Sequence, residues 1–412
     1  MPWRDVSVLD ERLEFVRLHG LGDLGMAELC RRFGISRDTG YRLVARWRAE
    51  GVAGLADRSR RPLVSPRRTP AAVEQAVLDL RSTHPAWGGR KLARRLADLG
   101  WADLGWAELG LADLGLAQVP QPSTITGILR RHDCLDATPR QKPFQRFEHA
   151  AANDLWQMDF KGHFAAGQGR CHPLTVLDDH SRFALGIEAC GDEQSLTVKA
   201  RLTTIFRRYG LPRRILCDNG PPWGVPSRTT PETGWTALGV WLLRLGIRVS
   251  HGRPRHPQTQ GKDERFHRSL KAEVLALRAF DSLDQCQAAF DRWRPVYNHE
   301  RPHEALGLAT PATRFTPSPR PMPVTAPLPE YDTTDLLRKI RKDGYFDFRG
   351  QRWKISQAFA GYYIAMRPTQ QDGQWTLCFA SHPIGVLDIT DQNRNDQTVR
   401  HVSVQVSDMS PV

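Results

Sequence analysis

The chain has 412 residues, of which 40% are hydrophobic and 25% are charged, so it is long enough for two or three domains with a large core. Its first residues, MPWRDVSVLDERLEF, contain no apolar signal segment, and no run of about 18 apolar residues occurs, which argues against a secreted or membrane-spanning protein. The seven scattered cysteines form no CxxC pair and argue against a disulfide framework, so the sequence predicts a cytoplasmic protein.

Positive charge is unevenly distributed along the chain. Lys and Arg total 58 against 45 Asp and Glu, for a net charge of +13. Residues 51–95 hold 10 basic and 3 acidic side chains, and residues 201–278 hold 15 and 5. Two such concentrations indicate two surfaces that contact phosphate, as in a nucleic-acid-binding protein, although a solvated basic face would have the same composition.

Residues 26–51 have the pattern of two helices joined by a tight turn. Leu29 and Phe33 form a short apolar stripe, and Gly34 is suited to end the first helix. Ser36 is suited to cap the second helix. That helix is predicted to have an inner side and a basic side, formed by Tyr41, Val44 and Trp47 and by Arg37, Arg42, Arg46 and Arg48. This pattern is typical of a helix-turn-helix, whose second helix enters the DNA major groove, and we assign residues 1–53 to it. An ordinary helical hairpin is the alternative.

A basic linker at 54–68 precedes a second helical region at 69–149. Helices are predicted at 69–81 and 87–96, and a third, basic helix follows a serine cap in PSTITGILRRH, so this region is interpreted as a second helix-turn-helix unit.

A five-residue repeat, LADLGWADLGWAELGLADLGLA at 96–117, interrupts this second helical region. Each copy turns about 140° on a helix and most contain a glycine, so the leucines form no stripe and helix stability is lowered. The repeat indicates tandem duplication and carries no site chemistry.

The chain changes to an α/β pattern at 150–312, followed by a Pro-rich linker at 313–330, a small antiparallel domain of the β-barrel type at 331–395 and a tail at 396–412. Apolar segments predict strands in the α/β part at 155–164, 172–179, 182–191, 213–220 and 247–252. Helical periodicity is present at 193–210, at 235–246 and from about residue 261. The predicted fold class is multidomain, with an all-α N-terminal region, a central α/β core and a small all-β C-terminal domain.

Two aspartates lie on predicted strands of the core. Alternation in WQMDF directs Trp156 and Met158 to one side of the strand and Asp159 to the other. Asp218 ends the apolar strand RRILC, where α/β sheets gather ligands beyond the carboxyl ends of their strands. Taken singly, a solvated Asp159 and a simple Asp-Asn-Gly turn at Asp218 are the alternatives.

A third acidic position lies in the basic segment GKDERFHRSLKAEVL, where Asp263 and Glu264 are neighbours. Helical spacing predicts a core stripe, formed by Phe266, Leu270, Val274 and Leu277. Asp263 falls within about 30° of the centre of that stripe, and Glu264 falls more than about 100° away. Asp263 is therefore expected to interact with the N-terminus of its helix. Glu264 shares a face with Arg268 and Lys271, so an i,i+4 surface pair is the alternative to a functional role.

Three carboxylates on three elements of one α/β unit, beside basic side chains, are suited to metal-dependent cleavage of phosphodiesters. Two divalent ions about 4 Å apart hold the attacking and leaving oxygens in line, and Mg²⁺ prefers hard oxygen ligands. Three converging acids repel one another unless cations lie between them. The pattern supports the hypothesis that Asp159, Asp218 and Glu264 bind two Mg²⁺ or Mn²⁺ ions while neighbouring cations hold DNA.

The core resembles the integrase core of insertion-sequence transposases of the Asp-Asp-Glu type, an RNase H-like fold shared with retroviral integrases. The motifs that carry the resemblance are WQMDFKG, LTVLDDHSRF, LCDNGPPW, HPQTQGKDERFHRSLK and YNHERPHEALG. The helix-turn-helix regions and the C-terminal β domain are also typical of such transposases. The resemblance implies that Asp159, Asp218 and Glu264 are the catalytic metal ligands. It further implies that water cleaves the transposon end and that the freed 3′-OH attacks target DNA.

The sequence departs from the family pattern in three places. Forty-five residues separate Asp218 from Glu264, more than in many members. Glu264 follows Asp263 where a small or apolar residue is usual, which leaves two acids as candidates for the third ligand. The pentapeptide repeat lies in the region expected to bind transposon ends.

The partner implied is double-stranded DNA, both transposon ends and target, bound by a homodimer or larger assembly in the nucleoid. Candidate DNA contacts are Arg37, Arg42, Arg46, Arg253, Arg255, Lys262, Arg265, Arg268 and Lys271. Asp178 and Asp179 are interpreted as turn acids rather than metal ligands. Two alternative functions stay open: a DNA-binding regulator with an inactive core, and an RNase H-like nuclease without strand transfer.

Overall fold

The computed structural model of the protein describes residues 7–58, 68–103, 119–135, 148–226, 233–252, 261–390 and 399–401. The chain divides into two compact units, residues 1–68 and 69–412. Across the described ranges, no helix is long and apolar enough to cross a membrane.

The first unit is built from three helices followed by a short 3₁₀ turn. They are α1 (Val8–Leu21), α2 (Met26–Arg32), α3 (Arg37–Glu50) and the turn Gly51–Leu55. The first helix was not part of the prediction, although Ser7 and Asp10 form a capping box at its start. Buried side chains from all three helices and the turn form one core, made of Phe15, Val16, Leu29, Cys30, Leu43, Val44 and Leu55.

The turn between α2 and α3 has the predicted chemistry. Gly34 adopts a positive φ of 65°, and the Ser36 hydroxyl accepts a hydrogen bond from the Thr39 amide at 3.1 Å. The inner side of α3 was predicted wrongly in part, because Tyr41 and Trp47 remain 60% and 39% exposed. Leu43 joins Val44 in the core instead; Tyr41 lies about 200° around the helix from Leu43 and therefore faces away.

Replacing Ser36 by Ala is expected to destabilise the first unit by about 1 kcal/mol, because the Thr39 amide loses its acceptor. Urea denaturation of a fragment spanning residues 1–68 would measure the change in free energy of unfolding. Ser36→Thr keeps a capping hydroxyl and is the matched control. An equal loss in both variants would contradict the capping role.

Three helices begin the second unit: α4 (Ala71–Thr83), α5 (Gly89–Asp103) and α6 (Pro122–Arg131). They share a core formed by Val73, Val77, Trp87, Leu92, Leu96, Ile125, Ile128 and Leu129. The predicted serine cap of the last helix is wrong, since α6 starts at Pro122, one residue before Ser123, and the capping position is held by Gln121. The first repeat copies continue α5 to Asp103, and residues 104–118 lie outside the described ranges.

A mixed sheet forms the centre of the second unit. Its strands are β1 (Trp156–Phe160), β2 (Phe164–Ala166), β3 (Gly169–Asp178), β4 (Ala184–Cys190), β5 (Arg214–Cys217) and β8 (Arg248–His251). The order is β4-β3-β1-β5-β8, and β2 pairs only with the start of β3. The strands β1, β5 and β8 are parallel, so their carboxyl ends meet at one edge of the sheet. A separate small pair joins β6 (Val225–Pro226) to β7 (Thr233–Gly234).

Helices cover both faces of this sheet. One face is packed by α7 (Ser195–Tyr209) and α8 (Ala237–Arg244), and the other by α9 (Gly261–Leu270) and α10 (Leu283–Pro295). The predicted alternation in β1 is confirmed, since Trp156 and Met158 belong to the core under α7 and α8. The arrangement is the α/β layer structure that the periodicity predicted.

The apolar stripe of α9 is confirmed for three of its four predicted members. Phe266, Leu270 and Val274 are buried, whereas Leu277 is 53% exposed. The α-helix ends at Leu270 and one π-helical turn, Lys271–Leu275, follows. The wider turn changes the angular spacing, so the stripe does not extend to Leu277.

An all-β domain closes the described chain. Its strands are β9 (Leu336–Lys339), β10 (Tyr345–Phe348), β11 (Gln351–Lys354), β12 (Tyr363–Pro368), β13 (Gln374–Phe379), β14 (His382–Asp388) and β15 (Arg400–His401). Five form an antiparallel sheet in the order β15-β14-β13-β12-β9, and β10 pairs with β11. Within the described residues, the Val399 amide donates to the Lys354 carbonyl at 3.0 Å, which connects the hairpin to the β15 side of the sheet. Closure into a barrel stays a prediction. The core of the domain includes Val240 and Leu243 of α8, which join it to the α/β part.

Candidate active site

The carboxyl edge of the parallel strands brings Asp159 and Asp218 together. The β1–β5 register pairs Trp156 with Ile215 and Gln157 with Leu216. Continued by two residues, this register places Asp159 on β1 beside Asp218, directly after β5. Neighbouring strands lie about 4.8 Å apart, so the two carboxylates share one edge of the sheet.

The two aspartates differ in environment. Burial raises the pKa of Asp159 to about 6, and the negative charge of Asp218 acts in the same direction. Asp218 is exposed, and its Oδ1 accepts a hydrogen bond from the Asn219 amide at 2.7 Å. The Asn219 side chain donates in turn to the Gly252 carbonyl at 2.7 Å, which links the ends of β5 and β8. A half-buried acid and an exposed acid therefore lie side by side.

A hydrogen-bonded link that the sequence did not predict attaches α9 to the strand of Asp159. Thr175 lies opposite Asp159 on β3, and its Oγ1 donates to the Asp159 carbonyl at 3.0 Å. His267 Nε2 lies 2.8 Å from the same Oγ1. Burial lowers the pKa of His267 to about 3, so the ring is neutral. Because the Thr175 hydroxyl uses its one proton on the Asp159 carbonyl, the His267 ring donates to Oγ1 through Nε2–H. No sequence motif distinguishes these two residues from ordinary core polar groups.

Asp263 and Glu264 face in the directions that helical geometry predicted. Asp263 is 2% exposed, its Oδ1 has no hydrogen-bond partner within the described chain, and burial raises its pKa well above the usual range. The charges of Asp159 and Asp179 add to that shift. Glu264 is exposed on α9, three residues before His267.

The strand register places Asp159 and Asp218 side by side, but Glu264 does not complete a cluster with them within the described residues. Among the described residues, no group of three or more His, Cys, Asp or Glu side chains is placed to hold a metal ion. Residues 253–260, which precede α9, lie outside the described ranges. Convergence of all three acids therefore stays a prediction.

Apart from Lys262, the candidate DNA contacts fall into three groups. Arg37, Arg265, Arg268 and Lys271 are exposed, as is Arg42, which pairs with Asp38 at 3.3 Å. Arg46 is half-buried and donates to the Ala56 carbonyl at 2.6 Å. Arg253 and Arg255 lie outside the described residues.

The environment of Lys262 differs from the one expected of a DNA contact. Its ammonium group forms a mostly buried ion pair with Asp179, and burial lowers its pKa to about 8. Asp179 also accepts hydrogen bonds from the Gln157 side chain and the His149 amide. Asp178 accepts from the amides of Asn153 and Ser181, as expected of a turn acid. Lys262 is therefore engaged in the interior.

Family profiles match most of the described architecture. Two profiles described as "Integrase core domain" match residues 149–257 and 245–311. A "Helix-turn-helix domain" profile matches 11–62, and a "Homeodomain-like domain" profile matches 39–103. The "IS481 family transposase, C-terminal domain" profile matches 335–395. The central sheet and its helices thus define an integrase core flanked by a helix-turn-helix region and a transposase-type β domain.

Individual proteins show the same likeness. The chain is 24% identical over 217 residues to a putative transposase for insertion sequence element IS5376 of Geobacillus stearothermophilus, covering 51% of each chain. It is 28% identical over 162 residues to an IS407 insertion element protein of Burkholderia multivorans, covering 39% of this chain and 55% of that protein. The chain therefore carries an integrase core and is similar to insertion-sequence transposases that contain one. It spans about half the length of these relatives.

Among solved structures, a chain of the simian T-cell lymphotropic virus intasome aligns with 68% of this chain and 95% of its own length. The sequence identity is 19% and the TM-score is 0.34.

Proposed function

We propose that this protein is a DNA transposase that cleaves phosphodiester bonds at transposon ends and joins the 3′-OH ends to target DNA. The single observation that carries the proposal is the adjacency of Asp159 and Asp218 at the carboxyl edge of an integrase-core sheet. The helix-turn-helix unit in the same chain supports a role on DNA rather than on a small molecule.

The aspartate pair fits a divalent cation. Carboxylate oxygens are hard ligands of the kind that Mg²⁺ and Mn²⁺ prefer. The raised pKa of Asp159 reflects burial together with repulsion from Asp218, and a bound cation would offset both. Glu264, exposed at the start of α9, is the third ligand that we propose. When bound, two such ions supply charge stabilisation for in-line displacement at phosphorus.

The protein's own groups have distinct roles in this proposal. The basic face of α3 binds the transposon end, while the exposed arginines of α9 hold the DNA backbone beside the acids. Thr175 and His267 position the strand of Asp159 against α9 through the hydrogen bonds described above. Two ends must be joined in one reaction, so we propose that the protein acts as a dimer or larger assembly.

A joining assay tests the proposal. The intact protein would be incubated with labelled duplexes that carry the terminal repeats flanking its gene, a target plasmid, and Mg²⁺ or Mn²⁺. We expect metal-dependent covalent joining of the labelled 3′ end to the plasmid. Cleavage without joining would indicate a nuclease, and binding without either reaction would indicate a DNA-binding regulator.

Replacing Arg37 by Gln is expected to weaken binding to transposon-end DNA, because one contact to a phosphate is lost. The slope of log K against log salt should fall in magnitude by about 0.9. Fluorescence anisotropy at several salt concentrations measures this slope. Arg17→Gln on α1, which removes a charge from an exposed Glu14 pair, is the control and should leave the slope unchanged.

A further inference from the structure

A cavity of about 520 Å³ lies at the amino ends of β5 and β8. This is the opposite end of the parallel strands from Asp159 and Asp218. Four arginines line it: the consecutive pair Arg213 and Arg214, together with Arg248 and Arg320. The only carboxylate among the lining residues is Asp154, whose Oδ1 lies 3.7 Å from Nε of Arg213. Arg213, Arg248 and Arg320 alone therefore outnumber the one carboxylate among the described lining residues.

Backbone carbonyls hold Arg320 in place without cancelling its charge. Its guanidinium donates to the carbonyls of Pro212 at 2.7 Å and Leu245 at 2.8 Å, which precede β5 and β8. The neighbouring Gly246 has a φ of +68°, and a Cβ there would lie 2.8 Å from Nη2 of Arg320. Any other residue at 246 would be strained and would displace the guanidinium. The backbone carbonyls thus hold the cation at the amino ends of β5 and β8.

Two histidines add hydrogen-bonding capacity to the same cavity. His382, at the start of β14, is only 7% exposed, and its Nδ1 has no hydrogen-bond partner within the described chain. His149 Nε2 is likewise buried and unpartnered there. Burial and the charges of Arg248 and Arg320 lower the pKa of His382 to about 4, so it is neutral near pH 7. A neutral imidazole still has one N–H donor for a ligand.

We infer that this cavity binds a phosphate group, held by Arg213, Arg248 and Arg320 with His382 as a further hydrogen-bond donor. Guanidinium groups match phosphate oxygens in geometry and in charge. A phosphate of this kind belongs either to free inorganic phosphate or to a DNA backbone that reaches the face of the core away from the catalytic acids. The inference does not depend on transposase activity, because the cavity is separate from the proposed active site.

The first test uses inorganic phosphate and the intact protein. Thermal denaturation would be followed with increasing sodium phosphate against sodium chloride at equal ionic strength. We expect a saturable rise in the melting temperature. Arg248→Gln should weaken the phosphate affinity by at least about tenfold. Arg292→Gln on the exposed side of α10 removes the same charge elsewhere and should keep the wild-type affinity.

His382 provides a second variant pair. His382→Asn retains a side-chain N–H near the position of Nδ1 and is expected to keep phosphate binding, whereas His382→Leu should lose most of it. Since the leucine variant also changes a buried position, its melting temperature without phosphate would be compared first. Should both variants bind equally well, the role of His382 would be disproved.

A second arm separates the two sources of phosphate. The salt dependence of binding to a duplex without transposon ends would be compared in Arg248→Gln and Arg292→Gln. A slope smaller by about 0.9 in Arg248→Gln assigns the site to the DNA backbone, and an unchanged slope with lost phosphate binding assigns it to free phosphate. The inference is overturned if phosphate gives no saturable effect, or if both arginine variants bind it equally.

Discussion

Asp159→Asn, Asp218→Asn and Glu264→Gln are each expected to reduce end cleavage and strand transfer by at least about 10³-fold. Each substitution replaces a charged oxygen ligand with a neutral amide of the same size, so the fold is retained while cation binding is lost. Binding to end DNA should stay near the wild-type level, because the helix-turn-helix unit is untouched. Joining assays and anisotropy on the same preparations measure the two properties.

Asp372→Asn, between β12 and β13, is the matched control and should retain full activity. Asp263→Asn decides between the two neighbouring acids of α9. If Glu264→Gln retained metal-dependent joining while Asp263→Asn lost it, the third ligand would be Asp263 and the proposed assignment would be wrong.

Asp263→Val is expected to stabilise the protein by about 2 kcal/mol at pH 8, an unusual direction for a core substitution. The Asp263 carboxyl is buried on the stripe that contains Phe266 and Leu270, and its Oδ1 lacks a partner among the described residues. Valine restores an apolar residue at that position. The free energy of unfolding in urea would be compared for the two proteins.

The gain should depend on pH in a defined direction. Since the pKa of Asp263 is raised in the folded state, the folded protein keeps this proton while the unfolded chain releases it above about pH 4. Wild-type stability is therefore lost as pH rises, by at most about 1.4 kcal/mol per pH unit from this group. The advantage of the valine variant should be larger at pH 8 than at pH 5.5.

The variant pair controls for other titrating groups, because Asp159, Asp179 and Lys262 are present in both proteins. A valine variant less stable than the wild type at pH 8 would show that the Asp263 carboxylate makes a favourable interaction. Joining activity should persist in this variant if Glu264 is the ligand.

Sequence periodicity was sufficient to predict the helices and strands that bury one of their faces in a core. The alternation of β1, the Ser36 cap and the Phe266–Leu270–Val274 stripe follow from local geometry, and the structure confirms them. The three-part fold class is confirmed for the same reason. Asp178 was predicted to be a turn acid because it ends a strand where the chain turns back, and nearby backbone amides there are available as donors.

Tertiary contacts account for what the sequence did not reveal. The partner of Lys262 is Asp179, which is distant in sequence, so a basic helix could not distinguish a DNA contact from an interior ion pair. Thr175 and His267 are likewise joined only by folding. Tyr41 and Trp47 remain exposed because α3 meets the small core of its unit mainly through Leu43 and Val44.

The three helices α4, α5 and α6 pack through residues on either side of 104–118. Leu92 and Leu96 precede that stretch and Ile125 and Ile128 follow it, yet all four lie in one core. Slippage during DNA replication can therefore add or remove pentapeptide copies within 104–118 without deleting any of these contacts. Related genes are expected to differ in copy number while keeping the same helical packing.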